Sequence, residues 1–210
     1  MTASAAPLWI RIPRFAFAAL GLVALVWIPI RNFDDSAFSA ANYFSYFTIQ
    51  STVLAVIVLV VGAVRDPRDR RWQAIRGATT LYLLITGVVY AVLLAKVEVM
   101  LTDKWINDVV HRILPLVVML DWVLVPATLG ITRTLIGAWL IYPAGYGAYT
   151  LIRGPIVDWY PYPFLDPREQ GYISLIIGLL ILSGVFALLA VAVVSLGALV
   201  ARRREPATTG

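Results

Sequence analysis

The stretch NYFSYFTIQSTVL, residues 42–54, opens a long apolar run, yet it holds Ser45, Thr48, Gln50, Ser51 and Thr52. Helical spacing places Ser45, Thr48 and Thr52 on one stripe with Ser51 beside it, while Gln50 points elsewhere. Another apolar run carries His111, the single histidine of the chain, near its start. A hydroxyl and an imidazole within ~2.6–3.2 Å of each other can do nucleophilic chemistry, because the ring takes the proton that a weak alcohol nucleophile must lose. Neutral imidazole suits that task near pH 7, its ordinary pKa being ~6.5. Plainer roles stay open for each. Ser and Thr in apolar helices commonly bond back to the carbonyl four residues earlier or join helices, and a lone histidine near a helix end can serve as an interfacial residue.

Asp121, in VVMLDWVL, is the costliest residue in the chain. An ionised carboxylate at the bilayer centre costs ~2.5–3.5 kcal/mol even on lenient scales, so it must be protonated, paired or turned to a wet cavity. Thr86, Tyr90, Tyr142 and Tyr146 are the partners expected at its depth. A structural polar lock and a direct cavity or proton role both fit it. Lying ~15 Å deeper than His111 at ~1.5 Å per residue, it is too far away to orient that ring.

The elements that must position these groups follow from hydropathy. The chain has 210 residues, 60% hydrophobic and 14% charged, with a mean hydropathy of +0.83. Soluble domains carry roughly 45–50% apolar and about 25% charged residues, so the balance points to a membrane. Six runs approach the ~20 residues a helix needs to cross a bilayer: about 14–30, 43–64, 77–97, 109–129, 134–152 and 172–200. Period-2 alternation is absent, which removes a barrel. The expected fold is an all-α polytopic bundle of six transmembrane helices, one domain over 1–200 with a disordered cytoplasmic tail at 201–210.

Arginine and lysine set the orientation. The N-terminus, 65–76, 130–133 and the C-terminus hold Arg11, Arg14, Arg65, Arg68, Arg70, Arg71, Arg76, Arg133 and Arg202 to Arg204, eleven in all. The opposite segments hold six: Arg31, Lys96, Lys104, Arg112, Arg153 and Arg168. Both termini are therefore expected in the cytoplasm, and Thr48 and His111 at similar depth near the outer surface. Trp9, Trp27, Trp72, Trp105 and Trp159 fall near span ends, where amphipathic rings prefer to sit. The first run, with Ala37-Phe38-Ser39 after it, also admits a secretory-signal reading, which would leave five spans with the same sidedness. The outer loop RGPIVDWYPYPFLDPREQG, stiffened by Pro161, Pro163 and Pro167, reads as an interfacial cap or as a lid over whatever Thr48 and His111 face.

Several classes drop out. With no cysteine, disulfides, thiol catalysis and thiolate-held zinc are excluded. One histidine and three methionines suit a two-ligand haem poorly, and the scattered carboxylates suit zinc no better. No cofactor or metal is expected. The net charge of +5 sits beside apolar runs rather than along a soluble face, so membrane lipids, not nucleic acid, are the expected partners.

Tyr46-Phe47-Thr48 in the second run, HRILP from His111 to Pro115 in the fourth, and Tyr162-Pro163-Phe164-Leu165 in the last outer loop occur in this order. Together they resemble the androgen-induced and androgen-dependent membrane protein family, threonine hydrolases that cleave fatty acid esters of hydroxy fatty acids. The layout is more similar still to a bacterial branch of six-span proteins. The resemblance implies that Thr48 is the nucleophile and His111 its histidine, acting on a lipid ester through an acyl-threonine at the extracytoplasmic side of a bacterial plasma membrane. Asp108, three residues before His111, would share its face and could hold the second ring nitrogen. Ser45, Ser51, Thr52 or a loop tyrosine would supply donors to the developing oxyanion. Two other classes stay open: a small-molecule or lipid transporter or binder with Asp121 as its intramembrane acid, and a structural or regulatory membrane protein without chemistry.

Overall fold

The computed structural model describes residues 6–94 and 103–204. Among them are helices and no strands. Five helices are long and apolar enough to cross a membrane: α1 (Leu8–Arg31), α2 (Phe47–Val64), α3 (Arg70–Leu94), α5 (Arg133–Val157) and α6 (Pro167–Arg204). Between them α4 runs without a break over 104–124, as Lys104–Asp108, a π turn at Val109–Ile113 and Leu114–Leu124. Its length of about 30 Å at 1.5 Å per residue matches a hydrocarbon core. The protein is an all-α membrane helical bundle.

Several expected boundaries move, each for a local reason. The second span begins at Phe47 rather than 43, because a separate helical turn, Ala40–Tyr43, precedes it and Tyr46 is extended (φ −72°, ψ 129°). The fourth ends at Leu124 rather than 129, because Pro126 biases Val125 away from helical geometry (φ −126°, ψ 72°). The sixth continues through Arg204, so the expected tail at 201–210 is helical at its start; 205–210 lie outside the described residues. The far end of the expected third span, 95–97 with Lys96, also lies outside them.

Two prolines inside helices show how tertiary contacts complete the backbone. Pro29 and Pro143 have no N–H for the carbonyls four residues back. Tyrosine hydroxyls from other elements take over: Tyr43 donates to the Leu25 carbonyl at 2.8 Å and Tyr82 to the Trp139 carbonyl at 2.9 Å. The first bond ties α1 to the segment just before α2, and α1 packs along α2 through Ala18, Ala24 and Leu25. These residues build α1 into the core. The second bond ties α3 to α5 beside buried Trp122 and Trp139.

The bundle has two polar ends. At one, the start of α1 meets the ends of α2 and α4 and the start of α3; at the other, α2 and α4 begin beneath the 158–166 loop. Trp27 and Trp105 meet edge-on at 5.7 Å near this second end, both exposed.

Candidate functional site

Thr48 stands in the first turn of α2, immediately after the break at Tyr46. The opening N–H groups of a helix have no partner within it. Here two tyrosine hydroxyls accept them: Tyr146 takes the Phe47 amide and Tyr162 the Thr48 amide, each at 3.3 Å. The Tyr146 hydroxyl itself donates to the Ser45 carbonyl at 2.9 Å. The break that begins the helix late thus brings Thr48 to a polar helix terminus, where the backbone dipole favours negative charge.

His111 lies in the π turn of α4. Pro115 offers no N–H to the His111 carbonyl and its ring crowds that oxygen, so the widened turn just before it relieves a clash. Such π turns often mark functional sites. Gly87 of α3 lies against this backbone; a Cβ there would stand 3.3 Å from the His111 carbonyl oxygen and 3.4 Å from Pro115 Cβ. The imidazole is 4% exposed and Thr48 5%. Their reacting atoms, Thr48 Oγ1 and His111 Nε2, are 3.2 Å apart. The other ring nitrogen, Nδ1, lies 3.2 Å from the Asn107 carbonyl oxygen. A carbonyl only accepts, so Nδ1 carries the proton and Nε2 presents its lone pair to the threonine hydroxyl. A Tyr162 hydroxyl 3.2 Å from Thr48 Oγ1 completes the cluster.

The dyad forms part of the wall of a cavity of about 430 Å³. Its remaining lining is mostly apolar, from Ile85 and Val89 of α3, Leu140 to Leu151 of α5, and Leu179 and Phe186 of α6. Small residues of α5, Ala144, Gly147 and Ala148, face the space between α5 and α6. At the end where α2 begins, the loop after α5 closes the cavity with Tyr162, Phe164 and Leu165, the last two within a short 3₁₀ turn, Pro163–Leu165. Tyr162 and Phe164 stack at 5.3 Å, and Gln170 Nε2 donates to the Phe164 carbonyl at 2.6 Å. Arg168 pairs with Asp166 at 2.7 Å and with Asp158. The Arg168 guanidinium holds the Asp166 carboxyl below the ordinary carboxylate range, against the opposing effect of desolvation. The three sequence motifs therefore converge on one space: Phe47 and Thr48, His111, and Tyr162 to Leu165 all touch it or its rim.

Other expected site residues stand elsewhere. Asp108 does not hold His111; it pairs with Arg112, one helical turn on, and the backbone of Asn107 takes the role expected of it. The stripe through Ser45 is broken with the helix: Ser45 Oγ donates to the Ala41 carbonyl at 2.6 Å and meets the Tyr149 hydroxyl at 2.7 Å. Thr52 bonds back to the Thr48 carbonyl at 2.8 Å. Ser51 is fully buried and does not line the cavity. Gln50 turns away, as expected, accepting from Tyr142 at 2.7 Å. Of the candidate oxyanion donors, the loop tyrosine is the one beside Thr48.

Asp121 is paired, but not with Thr86, Tyr90, Tyr142 or Tyr146. It lies between two buried arginines, Arg14 Nε at 2.5 Å and Arg76 at 2.7 Å. Arg14 also reaches Asp66 at 2.7 Å and the Gly62 carbonyl at 2.8 Å, and Asp66 accepts from the Ala6 amide at 2.6 Å. Arg14 and Arg76, counted in the sequence among solvated cytoplasmic charges, are each 3% exposed. Part-exposed Arg68 also pairs with Asp66 at 2.5 Å; every buried charge of this group thus faces an opposite one, which is the condition for holding charge out of water. It belongs to the far end of the bundle, and Asp121 does not line the cavity.

No protein-family model, curated protein or solved structure matches the chain.

Proposed function

We propose that the protein is an integral membrane hydrolase of lipid esters in which Thr48 is the nucleophile and His111 its base. The observation that carries this reading is the alignment of Thr48 Oγ1 with His111 Nε2 at 3.2 Å while Nδ1 is held by the Asn107 carbonyl. That distance is at the outer limit of the ~2.6–3.2 Å expected of a nucleophile and its base before substrate binds. The family resemblance and the meeting of its three motifs at the cavity support the same assignment.

In the first half-reaction Thr48 Oγ1 forms a bond to the ester carbonyl carbon as its proton passes to His111 Nε2. Negative charge gathers on the carbonyl oxygen beside the start of α2, where the Tyr162 hydroxyl is the nearest side-chain donor and the helix terminus adds a favourable dipole. The tetrahedral adduct collapses, the carbon–oxygen bond to the alcohol breaks, and His111 returns the proton to that oxygen. Water then attacks the acyl-threonine, His111 takes its proton and delivers it to Thr48 Oγ1, and the fatty acid leaves. An apolar cavity between α5 and α6 suits an acyl chain arriving sideways from the lipid.

The opposite end of the bundle bears exposed Arg65, Arg68, Arg70, Arg71 and Arg202 to Arg204. By the charge rule that end faces the cytoplasm, so the dyad faces the extracytoplasmic leaflet of a bacterial plasma membrane. A fluorophosphonate probe applied to the detergent-purified protein, with the adduct located by peptide mass spectrometry, tests the reading. The expected adduct is on Thr48, lost in Thr48→Ala and His111→Ala. Absence of any adduct on folded wild-type protein would leave a lipid-binding or transport role in its place.

A further inference from the structure

Among the described residues no carboxylate stands behind the histidine, whose Nδ1 meets the Asn107 carbonyl, yet its ring is held on two sides. Tyr90, at the start of the π turn Tyr90–Leu94 that ends α3, stacks on His111 with ring centroids 4.3 Å apart and planes 23° from parallel. The Tyr90 hydroxyl accepts a hydrogen bond from Asn107 Nδ2 at 2.6 Å. The same Asn107, through its carbonyl, receives the Nδ1 proton of His111. One residue thus joins the tyrosine's tip to the histidine's edge, while the tyrosine's face covers the histidine's face.

We propose that Tyr90 is a positioning residue for His111, forming with Asn107 a clamp that replaces the carboxylate of a Ser-His-Asp arrangement. In such an arrangement the acid fixes the tautomer, orients the ring and stabilises the imidazolium formed during attack. Here the Asn107 carbonyl fixes the tautomer. The Tyr90 ring prevents rotation that would swing Nε2 away from Thr48, and its electron-rich face lies against the ring that becomes cationic. The Asn107 amide keeps the tyrosine in register. Tyr90 opens one π turn and His111 lies within another on the neighbouring helix, with Asn107 two residues before it. The catalytic part of this proposal rests on the hydrolase reading above; the clamp itself does not.

Because His111 is the chain's single histidine, its state can be read without ambiguity. NMR of the full chain in detergent, labelled with ¹³C and ¹⁵N at histidine, should show one imidazole, protonated at Nδ1, with ring protons shifted upfield by the stacked tyrosine. Tyr90→Phe keeps the stack and should retain both signatures, with fluorophosphonate labelling of Thr48 within about fivefold of wild type, the loss of one neutral hydrogen bond. Tyr90→Leu should lose the upfield shift and mix the tautomers, and labelling should fall about 10–100-fold, the scale of a misplaced catalytic group. Wild-type imidazole signals lacking the upfield shift, or labelling of Tyr90→Leu at the wild-type rate, would overturn the proposal. Should Tyr90→Leu fail to fold, the wild-type and Tyr90→Phe spectra still decide. A wild-type protein that shows both signatures but no Thr48 adduct would uphold the clamp and remove the hydrolase.

Discussion

Replacing Tyr162 with phenylalanine removes one oxygen from the centre of the site and little else. The ring keeps its neighbours, Tyr46 at 5.6 Å and Phe164 at 5.3 Å between centroids, so the loop should stay seated. Two things are lost together. The Thr48 amide, whose hydrogen bond to that hydroxyl is 3.3 Å long, becomes a buried donor without its acceptor. Such a loss costs about 1–3 kcal/mol of stability. The oxyanion also loses the side-chain donor nearest Thr48, which in comparable acyl-transfer sites costs about 10²–10³-fold in rate. The two effects are read separately, by unfolding in a denaturing detergent and by the rate of Thr48 phosphonylation under conditions where both proteins are folded. The expected result for Tyr162→Phe is a modest loss of stability with a fall of about a hundredfold or more in labelling rate. A variant labelled at the wild-type rate would show that Tyr162 only caps the helix and that the oxyanion is stabilised elsewhere.

Three further outcomes separate the site from the scaffold. Asp108→Asn should label at the wild-type rate, because Asp108 pairs with Arg112 rather than with His111; a tenfold loss would reinstate the carboxylate as the histidine's partner. Asp121→Ala leaves Arg14 and Arg76 without the carboxylate they share, and detergent unfolding should report a loss of about 3–5 kcal/mol, the usual effect of stranding a buried charge. Asp66, in the loop after α2, titrates below the ordinary carboxylate value: burial pushes it up, but the Arg14 and Ala6 hydrogen bonds and the charges of Arg14 and Arg68 outweigh that. A carboxyl depressed in the folded state contributes stability above its unfolded pKa of about 4, and that stability is lost as pH falls toward its folded value. Thermal unfolding should therefore drop across this acid range in wild type and more gently in Asp66→Asn; parallel curves would show that the loop carboxylate is not linked to folding.

Runs of apolar residues determined the membrane bundle directly, because a bilayer demands about twenty of them per helix and accepts little else. Depth was legible too. Thr48 and His111 lie toward the starts of apolar runs that enter from the same end, so rise per residue put them at similar depth. What depth cannot supply is azimuth. Whether His111 faces Thr48 depends on how α4 is rotated, and that rotation reflects the π turn before Pro115 and the close approach at Gly87. Asp108 shows the same limit: spacing put it on the histidine's face, but Arg112 on that face offered it a full charge. The pairing of Asp121 was hidden because its partners, Arg14 and Arg76, read as loop charges until folding drew three helix ends together around them. Tyr90 was read only as a partner at Asp121's depth, since nothing in its spacing could show that it faces His111 on another helix. Sequence determined which helices exist and how deep each polar group lies, because both depend on a residue's near neighbours and the solvent. The tertiary structure alone decided which groups meet, because partnership depends on helix rotation and on local breaks that distant side chains complete.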